Sequence, residues 1–475
     1  MTSALDETPP RDPLQALWDP ATIRLRCAAV TRAVDDGRSG HFTIDRTQLP
    51  AVAQRVAAIT RERFPDLRIP YHSRWRHFEA GGVDRKAELD AVMAADGPAE
   101  VARARIDLTV VSVLLDAGAG PAWRYTEQPG RVDALALPVH RQRRDDLLAM
   151  LGQASGSASA APANAPIGAA AADAPSDAPA PQPAAQGRIY TRSEGLGVAS
   201  FRAFVEGVFS SAEARTRVDA QALERLDVAA LRAVFQASPS NPLVGLEGRV
   251  ELLRRLGEVL VQQAAAQGGE ARPGRLFDTL TQGGRLREIR AADLLHELVH
   301  GYRTIWRSGS RVLGLPAGDV WPHLWAGAAT AQGDDRSTAG WVPFHKLSQW
   351  LAYSLIEPFE WAGVRVTGLD ALTGLPEYRN GGLLLDGGVI VPRAARDLER
   401  SWKPSDEFVV EWRALTVTLL DELAVLVREQ LGATAEQLPL ACILEGGTWA
   451  AGRQIAQERR DGLPPLRIDS DGTVF

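Results

Sequence analysis

Along most of the chain apolar residues recur every three or four positions, the spacing of one face of an α-helix. Leu14, Leu17, Trp18, Ile23, Leu25 and Val30 predict a helix over 12–35, interrupted at Pro20. Further helices are predicted over 49–64, 87–116, 220–237, 246–267 and 404–432, and the nearly all-apolar run 106–115 reads as buried. The helix predicted over 344–357 stops at Pro358. Its apolar stripe is Phe344, Leu347, Leu351 and Leu355, while His345, Gln349, Tyr353 and Glu357 share another face, expected to line a pocket. Period-two signals are sparse. They are a short extended piece at 42–45, a hairpin pattern LLL-DGG-VIV, and a strand pair around Asp471-Gly472. The expected fold class is mainly α: one multi-helical domain with a small β component.

The periodicity breaks completely over 153–187, which is Ala, Pro, Ser and Asp without apolar spacing. Such composition cannot bury a core and reads as a disordered linker. It divides the chain into 1–152 and 188–475, either as a boundary between domains or as an insertion within one.

Composition changes little in this picture. The chain has 475 residues, 45% apolar and 24% charged, with net charge −6. Bulk charge therefore suggests no nucleic-acid role, and no Lys/Arg block suggests a membrane patch. Lys is scarce and Arg plentiful. Cys27 and Cys442 have no CxxC partner, so neither a disulfide scaffold nor a cysteine-type zinc site is indicated. The acidic, Pro-containing N-terminus is no secretory signal, and no run reaches the roughly 18 apolar residues of a membrane span. A cytoplasmic setting is expected.

The candidate chemistry gathers in segments rich in Gly, aromatic and charged residues. The stretch Trp341 to Pro392 holds the helix just described and then a Gly-studded loop, Glu377-Tyr378-Arg379-Asn380-Gly381-Gly382. Comparable loops are expected at 71–85 (His72, Arg74, Trp75, His77, Phe78, Arg85), 318–325 (Asp319, Trp321, His323) and 445–453 (Glu445, Trp449, Arg453), converging on the first. Gly195 and Gly197 precede an apolar helix, where a plain turn competes with a phosphate cradle. His296-Glu297-Leu298-Val299-His300 matches HExxH on an apolar-faced helix, but no third zinc ligand stands nearby.

The strings RIPYHSRWRHFEAGG, RSEGLGVASF, SNPLVGLEGR, GDVWPH, VPFHKLSQWLAYSLIEP, LTGLPEYRNGG and ACILEGGTWAAGR resemble the uracil-catabolism family of fungi and bacteria, the Urc/urg type long labelled a domain of unknown function. The likeness spans nearly the whole chain, so it implies that 153–187 is an insertion within one domain. It also implies a place among uracil-catabolic enzymes, in a route where uracil becomes a ribotide, the ring opens and a ribosyl-urea species is later split. A weaker likeness is to queuosine-salvage N-glycosidases, which carry F-A-D-Y-R before an apolar helix. LPEYR is similar, with Glu377 where the acid would stand, and only Glu377, Tyr378 and Arg379 carry over.

Cleaving an N-riboside needs a carboxylate near an oxocarbenium-like carbon, a proton donor for the leaving nitrogen, and cations for any phosphate. Glu377 is the expected catalytic carboxylate, with Asp386, Asp319 and Glu445 in reserve. His72, His77 and His345 are the candidate donors. Arg74, Arg85, Arg379 and Arg453 are candidate phosphate clamps, and Tyr71, Trp75, Phe78, Trp321 and Trp449 candidate stacking surfaces; Gln349, Tyr378, Asn380 and His323 complete the expected lining. No metal or cofactor is required. The plain alternative for Glu377 and Arg379 is a local ion pair pinning the hairpin. Three functions follow: a metal-independent N-ribosyl hydrolase, a zinc hydrolase using His296, Glu297 and His300, or a non-catalytic binding partner of the pathway enzymes.

Overall fold

The computed structural model describes residues 12–116, 118–120, 122–128, 187–306, 309–329 and 336–469. The Ala/Pro-rich run up to residue 186 and the expected strand pair at Asp471-Gly472 lie outside these. The longer helices are α1 Pro20–Asp35, α2 Leu49–Arg63, α3 Pro98–Leu114, α4 Arg192–Val205, α5 Leu246–Gln267, α6 Ala291–Gly301, α7 Lys346–Trp361, α8 Tyr378–Asp386, α9 Glu407–Leu431 and α10 Trp449–Arg460. The break at Pro20 falls as expected, with Asp19 capping α1 by accepting from the Ala21 N–H. The expected helix 87–116 is two helices, Arg85–Val92 and α3, parted at Gly97-Pro98.

Four helices are buried over most of their length, α3 and α4 as well as α7 and α9. In α9, Phe408 to Val417 is buried without interruption, and α1, α2 and α8 pack around it. In α7, every residue from Leu347 to Phe359 is buried, against α3 on one side and α6 on another. A helix buried all round is apolar on most faces and must satisfy its polar groups internally. This corrects the expected pocket-lining stripe. Gln349 accepts from the Thr373 N–H (3.3 Å), Tyr353 donates to the Thr373 carbonyl (2.8 Å), and Glu357 holds Ser73 (2.7 Å) and Arg76 (2.6 Å). The helix also runs through Pro358 to Trp361, because a Pro this close to the end removes only one bond of the last turn.

Strands occur as two-stranded pairs that tie distant segments together. Phe42–Ile44 pairs antiparallel with Ile390–Pro392, and Glu288–Arg290 pairs parallel with Arg365–Thr367. The LLL-DGG-VIV hairpin is not formed: Leu383 to Asp386 finish α8, and only Ile390–Pro392 is a strand. The sequence signal misled because Gly381-Gly382 looks like a helix breaker. Gly381 is instead a contact surface, where a Cβ would lie 2.5 Å from the Trp412 ring of α9. The expected loop at 445–453 is likewise helical, a π-turn Leu444–Thr448 running into α10. Gly195 and Gly197 sit within α4, not before it; a Cβ on Gly195 would meet the Trp123 ring at 2.8 Å. No helix among the described residues is long and apolar enough to cross a membrane.

Candidate functional site

Glu377 is the N-cap of α8. Its extended backbone (φ −117°, ψ 172°) turns the side chain back over the helix start. Oε2 accepts from the Arg379 N–H (2.7 Å) and Oε1 from the Asn380 N–H (2.6 Å). Two such bonds and a helix N-terminus favour the carboxylate. Burial wins over both: the residue is 8% exposed, and its pKa is pushed up to about 7, against the Asn380 N–H and the nearby charges of Lys346 and His72. A carboxyl poised near neutrality is suited to moving protons.

Tyr378, the next residue, keeps 39% of its surface accessible, yet its hydroxyl is desolvated enough for its pKa to rise. The hydroxyl therefore sits among charged groups, although part of the side chain stays exposed. Glu377, Arg192, Asp116 and Arg453 are all within its electrostatic reach. Arg192 opens α4 in the left-handed region (φ 53°), and burial followed by the field of Arg453 lowers its pKa. Arg453 in turn lies 5.9 Å above the Trp449 ring.

Lys346 opens α7, and its charge acts on Glu377. It follows His345, which is itself left-handed (φ 47°) and is held by its Nε2 to the Leu17 carbonyl (2.8 Å). Asp319 fixes this turn. Its backbone carbonyl accepts from the Phe344 N–H (2.9 Å), and its Oδ2 accepts from the Lys346 N–H (3.0 Å). Asp319 is itself gripped in two-pronged fashion by Arg413 of α9 (2.7 and 2.8 Å) and accepts from Trp321 Nε1 (2.7 Å). Burial alone would raise the Asp319 pKa; Arg413 overrides it and holds it low. The Lys346 ammonium is half-buried and hydrogen-bonds to nothing among the described residues. Burial lowers its pKa, and Glu377 is the nearest opposing influence.

Two histidines belong with these groups. His72 Nδ1 lies 3.0 Å from Glu445 Oε2, and Glu445 also holds Arg63 (3.2 Å). Burial would raise the Glu445 pKa, but His72 and Arg63 bring it below the ordinary value. His77 is kept neutral by burial and by Arg74, 3.4 Å away. Arg74 is fully buried, bonded to Ser112 (2.7 Å) and paired with Asp116 (2.9 Å).

Glu377, Tyr378, Glu445, His72, His77, Arg74 and Arg453 thus form one cluster of mutually interacting titratable groups. Other expected lining residues are engaged elsewhere. Asp386 is locked to Arg460 (Nη1 to Oδ1 2.6 Å), joining α8 to α10, so its carboxylate is a packing clamp. Arg85 is fully buried against Glu127 and the Phe78 carbonyl (2.7 Å), which leaves no phosphate clamp there. His345, Asp319 and Trp321 build the turn before Lys346. Trp75 and Phe78 are core, edge to face at 5.1 Å. Tyr71 donates to Glu360 (3.1 Å). Arg379 donates to the Gly462 carbonyl (3.2 Å), and Asn380 Nδ2 to the Leu375 carbonyl (3.1 Å). His323 belongs to a separate cluster, 3.4 Å from Glu411 and 3.8 Å from Glu407. The expected loops therefore converge only in part.

HExxH does lie on one face of α6, with the two imidazoles parallel and 5.8 Å apart. The closest further carboxylate, Asp12, is 3.9 Å from His300 and accepts from Leu14 and Trp18. No three His, Cys, Asp or Glu groups among the described residues are grouped as a metal would need.

Lys346, Arg192 and Asp116 escaped the sequence reading. Spacing gives no hint of Asp116, which ends a buried helix. Lys346 had a signal, its rarity.

The site and fold define a mainly helical protein with a neutral-range carboxyl, an amine and guanidiniums in one cluster. The chain belongs to the family described as "Protein of unknown function (DUF1688)", whose model matches residues 16–147 and 176–475. It is 35% identical to "Protein urg3" of Schizosaccharomyces pombe (strain 972 / ATCC 24843) over 467 residues, covering 95% of this chain and 96% of that protein. It is 34% identical to "Uracil catabolism protein 4" of Lachancea kluyveri over 470 residues, 93% of each.

Proposed function

We propose that this protein acts in uracil catabolism as a metal-independent N-ribosyl hydrolase, splitting a uracil-derived ribosyl or ribosyl-urea compound. The printed name of the Lachancea relative supports the pathway. The observation that carries the reaction is Glu377, a buried carboxyl with a pKa near 7 at a helix start, next to the exposed Tyr378. In this reading ionised Glu377 takes a proton from water as the water attacks the anomeric carbon. Arg192 and Arg453 supply positive charge for an anionic group on the sugar, and Trp449 and Tyr378 offer flat surfaces.

Incubation with uracil-derived N-ribosyl compounds, with and without a 5′-phosphate, tests the reading by release of the free nitrogen compound and the sugar. Glu377→Gln is expected to lose at least a hundredfold in kcat with its circular dichroism unchanged, and full activity in that variant would refute the assignment. Because the base must be ionised, kcat/KM is expected to fall about tenfold per pH unit below about 7.

A further inference from the structure

The chain carries fifty arginines and only three lysines, Lys86, Lys346 and Lys403. Lys86 pairs with Asp90 at 2.6 Å, and Lys403 is exposed. Lys346 alone is tied to the Glu377 turn: Arg413 donates to the Pro376 carbonyl (3.2 Å) and grips Asp319, whose Oδ2 accepts from the Lys346 N–H (3.0 Å). Several devices hold it there: the left-handed His345 before it, Asp319 on its own N–H, and Arg413 behind Asp319. Its ammonium makes no hydrogen bond or ion pair to any described residue. The charged groups that face it are Glu377 on α8, Arg413 on α9, Asp319 before the Val320–Pro322 strand, and Asp116 after α3. A guanidinium is always charged and cannot deliver and regain a proton, whereas an amine can.

The geometry points to Lys346 as a catalytic residue, the proton donor to the leaving nitrogen on the same Arg413–Asp319 support as the Glu377 turn. This rests on the hydrolase reading above. The C1′–N bond breaks as the Lys346 ammonium gives its proton to the departing nitrogen. The water oxygen bonds C1′, and Glu377 takes the water proton. That proton then passes to the neutral amine, which restores both groups. Burial of the amine, which lowers its pKa, fits a group that must release a proton near neutrality.

Two measurements judge it. Full-length protein is reductively methylated with formaldehyde and cyanoborohydride across pH 6–10, and the three lysines are followed by peptide mass spectrometry. Lys346 is expected to reach half its own maximal reactivity at least one pH unit below Lys403, and lower still in Glu377→Gln. Coincident titrations, or a Lys346 that is never modified, overturn the proposal. In turnover, Lys346→Arg is expected to keep KM within threefold while kcat falls at least a hundredfold, with the alkaline limb of the pH profile lost. An arginine variant within threefold of the parent kcat overturns it, as does a borohydride-trapped covalent adduct on Lys346. If the parent splits no N-ribosyl compound, the hydrolase reading fails by itself, and the titration still reports on the amine.

Discussion

A carboxylate that caps a helix ordinarily has every reason to stay ionised. At Glu377 the opposite holds, since folding removes more water from the carboxyl than two backbone N–H groups can replace. The consequence for stability has a definite sign. The folded pKa of about 7 lies above the ordinary 4.5, so the unfolded chain releases this proton first as pH rises. Stability from this group is full below about pH 4.5 and declines up to about pH 7, by a total on the order of 3 kcal/mol. Glu377→Gln cannot ionise and escapes that decline. Thermal melts of variant and parent are expected to shift in the variant's favour from pH 5 to pH 8, while the variant stays inactive throughout. A difference that does not change with pH would mean that the buried carboxyl is not neutral.

At the scale of elements, the position of Glu377 depends on how closely α8 approaches its neighbours. Gly381 lets α8 lie against Trp412 of α9, and Gly452 lets α10 lie against the Arg379 carbonyl. A Cβ on Gly381 has no room, because the ring 2.5 Å away belongs to a fully buried Trp that donates to the Gly381 carbonyl (3.2 Å). Gly381→Ala is expected to cost about 1–3 kcal/mol by overpacking. It should also lower kcat by moving the cap one turn away, since the Gly381 N–H donates to the Glu377 carbonyl (2.9 Å), as melts and turnover together would show. A fall in stability with no change in turnover would mean that α8 shifts without carrying Glu377. The HExxH helix α6 offers a contrast. Its two histidines line up as their spacing requires, and neither is among the groups that bear on Glu377. His296→Ala with His300→Ala is expected to leave turnover within twofold.

At the scale of the whole molecule, the buried Asp319–Arg413 pair links the 315–322 strands, the long axis α9 and the start of α7. Removing one partner strands the other charge, at a cost of about 3–5 kcal/mol. Asp319→Asn is therefore expected to lower the melting temperature sharply and to depress turnover beyond the effect on folding, because Lys346 loses its anchor. Segments on both sides of residues 129–186 contribute to this body: α3 packs on α4 and α7, and Asp116 and Arg192 meet at Tyr378.

By itself the sequence determined the helical class and the places of the main helices, because both are written locally in apolar spacing and in Pro at helix breaks; Glu377 was singled out by the likeness of LPEYR to a known motif, not by spacing. The hairpin and the glycine loops were misjudged for a related reason. A glycine needed for close approach of two helices carries the same letter as one that breaks a helix, and only the partner surface, here Trp412, tells them apart. Which carboxylates are free to act was also decided in three dimensions. Asp386, Asp319 and Glu377 look alike along the chain, but Arg460 and Arg413 close on the first two, while the third is left between two N–H groups and an amine. Burial sets the proton affinity of that last group, and burial is a property of the assembled fold.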